Sequence, residues 1–520
     1  MLARIRSYSE DSMHQIHNHH FSAVLKLSKQ HAILESINGL LGWDQETYMP
    51  QGAIDYRSDH LETIASLAHK QKTSDTFALA LSKLIDLKTG EIQDPTLSAE
   101  EKAAAYQWRK DYNKAMKLPI EFVEEFAKTS SLSMHAWSEA KRHNSFETFA
   151  PHLEKIVALC RQKAEYLGYK DHPYDALLDL YEPEMTSAYL TPLFTRLKTS
   201  LTRLLQEIQS KPKHPRECLH KDFPAHGQMH FSHTILDAMG FTHDSSRLDL
   251  SAHPFCSALN PKDVRMTTRI IPNLPLSCLF SVIHEAGHGI YEAQLNESMY
   301  GTPLCEAISL GIHESQSRLW ETWIGKSYPF WQHFYPLLQK EFPSQLGGTH
   351  LDTFFLAANH VEPSLIRVES DEVTYCLHVI LRFEIEKALI DGSLQVKDLP
   401  TAWNEKMREY LGISPQSDGE GCLQDIHWSM GSIGYFPTYA LGNLCAAQFF
   451  ETFEKTYPNW KEQVSQGNLL FIRQWLKEQL HQYGRQFSPQ EIITKISGKN
   501  LTEQPYVDYL QKKFHKIYQS

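Results

Sequence analysis

Apolar residues recur every three or four positions through most of the chain, the spacing of helices that bury one face. The first run goes from Phe21 to Leu41, with Val24, Leu25, Ile33, Leu34 and Ile37 in phase. Trp43 to Pro50 then breaks the pattern, and Pro50 with Gly52 predicts a loop. A second run spans about Tyr56 to Leu87. Ser98 before Ala-Glu-Glu predicts a capped start to a third helix, and Pro119 opens a fourth that runs towards Arg142. Phe149 to Leu167 follows with Gly168 as a stop, then Ala188 to Ser210, and then a charged, proline-bearing connector from Lys211 to His226.

A period of two appears only between His253 and Asn273, where Val264, Met266 and Thr268 alternate with Arg265, Thr267 and Arg269. Helical spacing then returns over Pro275 to Leu295, Ile308 to Trp323, Leu351 to His360, Ser370 to Ile390, Asp398 to Leu411 and Pro437 to Lys455, and in the C-terminal tail. The pattern predicts a mainly α protein, a single helical fold over residues 1–520 with one small antiparallel β-sheet. Its helical N-terminal part covers about 1–210, and a part bearing the candidate chemistry covers about 250–450.

Composition narrows the function classes. A hydrophobic content of 42% supplies a large core, and the formal charge of -11, with no Lys/Arg run, argues against a general nucleic-acid binder. Residues Met1 to His20 mix charged and polar types without an apolar segment, so they do not read as a secretory signal. No uncharged apolar stretch approaches the ~20 residues of a membrane span. The eight cysteines are scattered without a C-x-x-C pair and read as reduced thiols of a cytoplasmic protein.

The candidate chemistry centres on His284-Glu285-Ala286-Gly287-His288. Residues four apart on a helix project from one face, so His284 and His288 can grip one ion while Glu285 reaches a water beside it. A catalytic zinc needs a third protein ligand. The metzincin solution fails, because Tyr291 and Gln294 stand where Gly and His would be required. A Glu on a following helix is the other common solution, and Glu314 lies among Leu310, Ile312, Leu319 and Trp320 on a helix that should be buried. Glu306 stays open on spacing, Glu297 follows too closely to return easily, and His313 points away from Glu314 as an outer-shell or core histidine.

Several motifs standing in order extend this reading: His253-Pro254-Phe255, Asp263 to Thr267, His284 to His288, His313 to Gln316, Ile366 to Asp371 and Gly421 to Trp428. Together they resemble the thermostable (Taq-type) zinc metallocarboxypeptidases, a helical group with a deep active-site groove related in fold to angiotensin-converting enzyme and neurolysin. Ser370 departs from the family's usual Ala. The resemblance implies zinc held by His284, His288 and Glu314, one ion per subunit, with Glu285 as catalytic base and cobalt able to substitute. It implies that Arg367 binds the substrate's terminal carboxylate, with Arg265 in reserve, and that the Asp263 to Thr267 and Gly421 to Trp428 motifs close the groove beyond the C-terminus.

The expected reaction removes single residues from the C-terminus of peptides with broad specificity, by Glu285-assisted attack of a zinc-activated water. His427, Tyr435 and Tyr439 are the candidate oxyanion donors. Related enzymes often place an Asp four residues after the third ligand; Arg318 stands there, so Asp371 or Asp425 is the expected partner of a ligand histidine. The resemblance also suggests a homodimer acting on peptides with a free C-terminus, with neither nucleic acid nor membrane as partner. A helical zinc endo-oligopeptidase with the same metal site is the alternative.

Overall fold

Helices carry nearly all of the chain in the computed structural model, which describes residues 18–519. The leader reading for Met1 to His20 falls almost wholly outside those residues. Ser98 caps the Ala99–Ala115 helix in a reciprocal box with Glu101, and Pro119 immediately precedes the Ile120–His143 helix. The Phe146–Leu167 and Ser187–Gln209 helices follow, the latter capped by Thr186.

Two early elements differ from the pattern. The first helix runs from His19 to Thr47, so Trp43 closes its last turns instead of opening a loop. The reason is on its surface: the Arg247 and Arg265 guanidinium groups lie 4.8 and 4.5 Å from the Trp43 ring. The run from Tyr56 to Leu87 is two helices, Ile54–Thr73 and Asp75–Leu81, because Ser74 adopts an extended backbone and caps the second. Four helices before the C-terminal tail were hidden from the pattern, Pro173–Leu178, Ala225–Ala238, Tyr328–Glu341 and Pro343–Leu346, the second by its polar histidine-rich faces.

The sheet is mixed and not antiparallel. Strand β1 (Ser246–Leu250) also escaped notice; β2 (Cys256–Asn260) and β3 (Asp263–Thr268) form the expected hairpin. The strand order is β1-β3-β2, with β1 and β3 parallel from Ser246↔Val264 to Leu250↔Thr268. Since β1 runs opposite to β2 and β3 turns back from β2 into the space between them, β3 must be parallel to β1.

One hydrophobic core extends from Ala140 to Tyr518, while a smaller one joins Phe21, Phe77, Leu81 and Trp108 to Met299 and Leu304. The sheet matters because β3 leads into the Pro275–Ala293 helix. The Thr268 and Ser281 hydroxyls are 2.7 Å apart, tying the end of β3 to the helix two turns in. Among the described residues no helix is long and apolar enough to cross a membrane, and all eight cysteines are free thiols.

Candidate metal centre and active site

Three helices bring the centre together. Pro275–Ala293 carries His284 to His288, Leu310–Arg318 carries Glu314, and Pro437–Thr456 carries Tyr439. The middle helix is clasped at backbone distance. A Cβ on Gly287 would meet Ser317 Cα at 2.5 Å, and one on Gly442 would overlap the Glu314 side chain. Both positions therefore require a residue without a side chain. That explains the glycine inside the His-Glu-Ala-Gly-His motif, and it makes Gly442 a contributor that no motif reading identified.

His284, His288 and Glu314 form the one group of potential metal donors among the described residues, with their donor atoms within 4.8 Å of one another. Glu314 Oε2 lies 3.5 Å from His284 Nε2 and 3.4 Å from His288 Nε2. Donors bound tetrahedrally at ~2.0–2.1 Å from one zinc would stand about 3.3 Å apart, so the spacing fits the ion. Glu314 Oε1 is buried without a hydrogen-bond partner, an orphan that a cation would satisfy. The competitors lie elsewhere: Glu306 pairs with Arg485 at 2.7 Å and Glu297 with Lys262 at 2.6 Å.

Each imidazole presents Nε2 to this centre and turns Nδ1 outward. His284 Nδ1 meets Glu321 Oε2 at 2.9 Å, and His288 Nδ1 meets His313, whose Nε2 lies 2.7 Å from Glu292. His313 thus backs His288 from the side turned away from Glu314. The outer partner of His284 corrects the expectation, being neither Asp371 nor Asp425. Asp371 accepts from the Val373 and Thr374 amides in the turn before the next helix, and Asp425 serves two arginines. Glu321 reaches His284 from a π-helical stretch, Leu319–Gly325, that continues the Glu314 helix. Its carboxylate is held by Arg318 at 2.9 Å and Lys326 at 3.0 Å.

Electrostatics follow this wiring. Burial opposes charge on His284, but Glu314 and Glu321 outweigh it and raise the imidazole to about 10. Burial, then His313, lowers His288 to about 3. Burial likewise opposes the Glu314 charge, yet the two histidines hold this carboxyl well below its usual range. Glu285 is 7% exposed, and burial pushes it up to about 7.

The remaining predicted residues gather on a second wall. His427 Nε2 is 3.2 Å from the Tyr439 hydroxyl, and the Tyr435 ring is 5.2 Å from His427 and 5.4 Å from Tyr439. Burial raises both phenols, and the Glu314 charge adds to the rise, which puts them within electrostatic reach of the centre. Arg367 lies 4.7 Å from the Tyr439 ring and donates from Nε and Nη2 to Asp425 Oδ1 at 3.1 and 2.9 Å. The second Asp425 oxygen is taken by Arg382, so two guanidinium groups share one carboxylate. Arg265 forms a two-pronged pair with Asp263 at 2.9 Å for each bond and stacks on Trp43.

Sequence reasoning missed Glu182 as well. It accepts a hydrogen bond from the Gly311 amide at the start of the Glu314 helix, and burial pushes it up to about 8. A Glu at the end of a short aromatic-rich segment gives no pattern that would reveal this.

A helical scaffold that buries two imidazoles and a carboxylate facing one point, beside a cationic and phenolic wall, has the donor set of a metallopeptidase. Residues 23–514 match the model for "Carboxypeptidase Taq (M32) metallopeptidase", and the chain belongs to that family. It is therefore a metallocarboxypeptidase, which sets aside the endo-oligopeptidase alternative. It is 38% identical over 508 residues to "Thermostable carboxypeptidase 1" of Thermus thermophilus, covering 96% of this chain and 99% of that one. "Carboxypeptidase 1" of Bacillus subtilis is 38% identical over 480 residues, 92% of this chain and 95% of the relative. The solved carboxypeptidase of Deinococcus radiodurans superposes with a TM-score of 0.94 at 34% identity, covering 97% of this chain and 100% of the other. Membership of this metallopeptidase family implies a divalent metal and peptide substrates.

Glu321→Gln should weaken metal binding by about 10- to 100-fold, the usual effect of losing a ligand's outer partner. Competition with a chelator of known affinity measures it, and an unchanged dissociation constant would remove Glu321 from this role.

Proposed function

We propose that the protein is a zinc-dependent carboxypeptidase that removes single amino acids from the C-terminus of peptides with broad specificity. The observation that carries the metal part is the convergence of His284 Nε2 and His288 Nε2 on Glu314 Oε2 at 3.5 and 3.4 Å, with both Nδ1 atoms tied outward. In this reading those three residues hold one ion, and cobalt can replace zinc because the donor set accommodates both. When bound, the ion supplies Lewis-acid polarisation of the scissile carbonyl and a water acidic enough to be deprotonated near neutrality.

The chain's own residues do the rest. Glu285, adjacent to His284 and pushed up to about 7, takes the proton from the attacking water and passes it to the leaving amine. His427, Tyr435 or Tyr439 donates to the developing oxyanion; burial keeps the phenols protonated and able to donate. Arg367 takes the terminal carboxylate. Two arginines around a single Asp425 leave a net positive charge there, which supports this assignment over Arg265, whose partner Asp263 neutralises it.

Family resemblance supports the further reading of a homodimer, each subunit a single catalytic unit over 1–520. A cytoplasmic place accords with eight free thiols, and a charge of -11 with the absence of a nucleic-acid role.

Mass spectrometry of a mixed peptide pool tests the reaction. We expect ladders that shorten by one C-terminal residue at a time, arrest by chelator, and recovery on adding zinc or cobalt. Internal cleavage products, or ladders that persist without metal, would overturn the proposal.

A further inference from the structure

Glu386 is a fully buried carboxylate that no step above uses. It lies on the Tyr375–Asp391 helix, one turn after Arg382. Its Oε1 accepts from the Trp428 indole N–H at 2.9 Å, and its Oε2 accepts from the Gly434 amide at 3.1 Å and the Tyr174 hydroxyl at 2.8 Å. Trp428 follows His427 directly, and Gly434 directly precedes Tyr435. One carboxylate therefore grips both ends of the segment that separates two of the candidate oxyanion donors.

The surroundings leave the segment little other freedom. Gly434 has φ 96°, and a Cβ there would meet the Leu177 and Leu178 backbone at 2.8 Å, so this turn lies directly on the Pro173–Leu178 helix. The same helix supplies Tyr174. The Trp428 ring is wedged edge-on against Trp403 with ring centres 5.8 Å apart. The rings of His427 and Tyr435 consequently stand 5.2 Å apart at a place fixed from beneath by Glu386.

We infer that Glu386 is a positioning residue for the hydrolytic step, which its two oxygens serve by holding Trp428 and Gly434 and thereby setting where His427 and Tyr435 stand. This rests on the reading of those two side chains as oxyanion donors. The chemistry demands a carboxyl group. An amide at this position would set its NH2 against either the Trp428 N–H or the Gly434 N–H, two donors facing each other in a dry site. A carboxylic acid, by contrast, satisfies all three partners even when protonated, because the Tyr174 hydroxyl can accept as well as donate.

The test uses the metal-loaded enzyme with three alterations: Glu386→Gln, Trp428→Phe, and the pair His427→Ala/Tyr435→Phe. Glu386→Gln and Trp428→Phe are each expected to lower kcat by about 10- to 100-fold, the scale of displacing a catalytic group by an ångström, while KM and metal content stay near wild type. Introduced into the His427→Ala/Tyr435→Phe background, Glu386→Gln should add little further loss, since the groups it positions are gone. A merely structural Glu386 would give the same loss in both backgrounds, and that result overturns the inference. If the His427→Ala/Tyr435→Phe pair keeps wild-type kcat, neither side chain is the oxyanion donor, Tyr439 alone remains for that role, and the inference fails. If that pair is slow while Glu386→Gln and Trp428→Phe are both fast, the oxyanion reading stands and only the positioning role is overturned. Should Glu386→Gln not fold, Trp428→Phe, which removes the indole N–H together with one of its two rings, is read in both backgrounds instead, and an equal loss in the two overturns the inference.

Discussion

Glu285→Gln is expected to lower kcat by about 10³-fold, within the 10²- to 10⁴-fold range that general acid–base catalysis contributes. The substitution keeps the size of the side chain and removes only its ability to accept and return a proton. The side-chain hydrogen bonds that fix the orientation of His284 and His288 go to Glu321 and His313, and not to Glu285. Metal content should therefore remain one ion per chain by elemental analysis, so that loss of rate and loss of metal separate cleanly. Burial that raises this carboxyl suits the role, since a base poised near the working pH is ionised enough to act and acidic enough to return the proton. A metal-replete Glu285→Gln enzyme with less than a tenfold defect would remove Glu285 from the proton path.

The second large effect concerns where along the peptide the enzyme cuts. Arg367→Met should lower kcat/KM on peptides with a free C-terminus by about 10- to 100-fold, the worth of a charge-assisted hydrogen bond of about 1.5–3 kcal/mol. Peptides with an amidated C-terminus should lose far less, because they have no carboxylate for this guanidinium to meet. Arg382 continues to neutralise Asp425 through two bonds of 2.8 and 2.6 Å, so the variant should not leave that carboxylate alone in the core. Side-by-side kinetics on one peptide as free acid and as amide measure the effect. An equal loss on both would show that Arg367 shapes the wall without gripping the chain end.

Much of the site was legible because its chemistry is local. His284 and His288 follow from a four-residue spacing on a helix, and Glu314 from a carboxylate placed on a second apolar helix; neither inference needs the third dimension. Arg367, His427, Tyr435 and Tyr439 needed family resemblance, since an arginine or tyrosine has no spacing of its own that marks it. What stayed hidden depends on contacts across the fold. Glu321 reaches His284 only because the helix relaxes into a π turn, and nothing in Leu319–Gly325 announces that. Glu386 has nothing in its sequence neighbourhood that marks it, because its partners Trp428 and Gly434 lie more than forty residues on. The fold divides in the same way: helices with a clear apolar face were placed within a few residues, whereas the direction of β1 and the helix over Ala225–Ala238 were set by tertiary neighbours.

The clasp of Gly287 and Gly442 on the Glu314 helix has a consequence for how the enzyme tolerates change. At Gly287 backbone meets backbone, and at Gly442 the Glu314 side chain itself lies directly on the neighbouring helix, so no further side chain lies between the element bearing Glu314 and these two glycines. The spacing of the helices that carry the three candidate donors is thus set largely at two glycine contacts. Exchanges among aliphatic residues in the surrounding core can soften the protein or lower its melting temperature, yet the coordination geometry is insulated from them. Stability can drift in such a lineage while the metal site keeps its gauge.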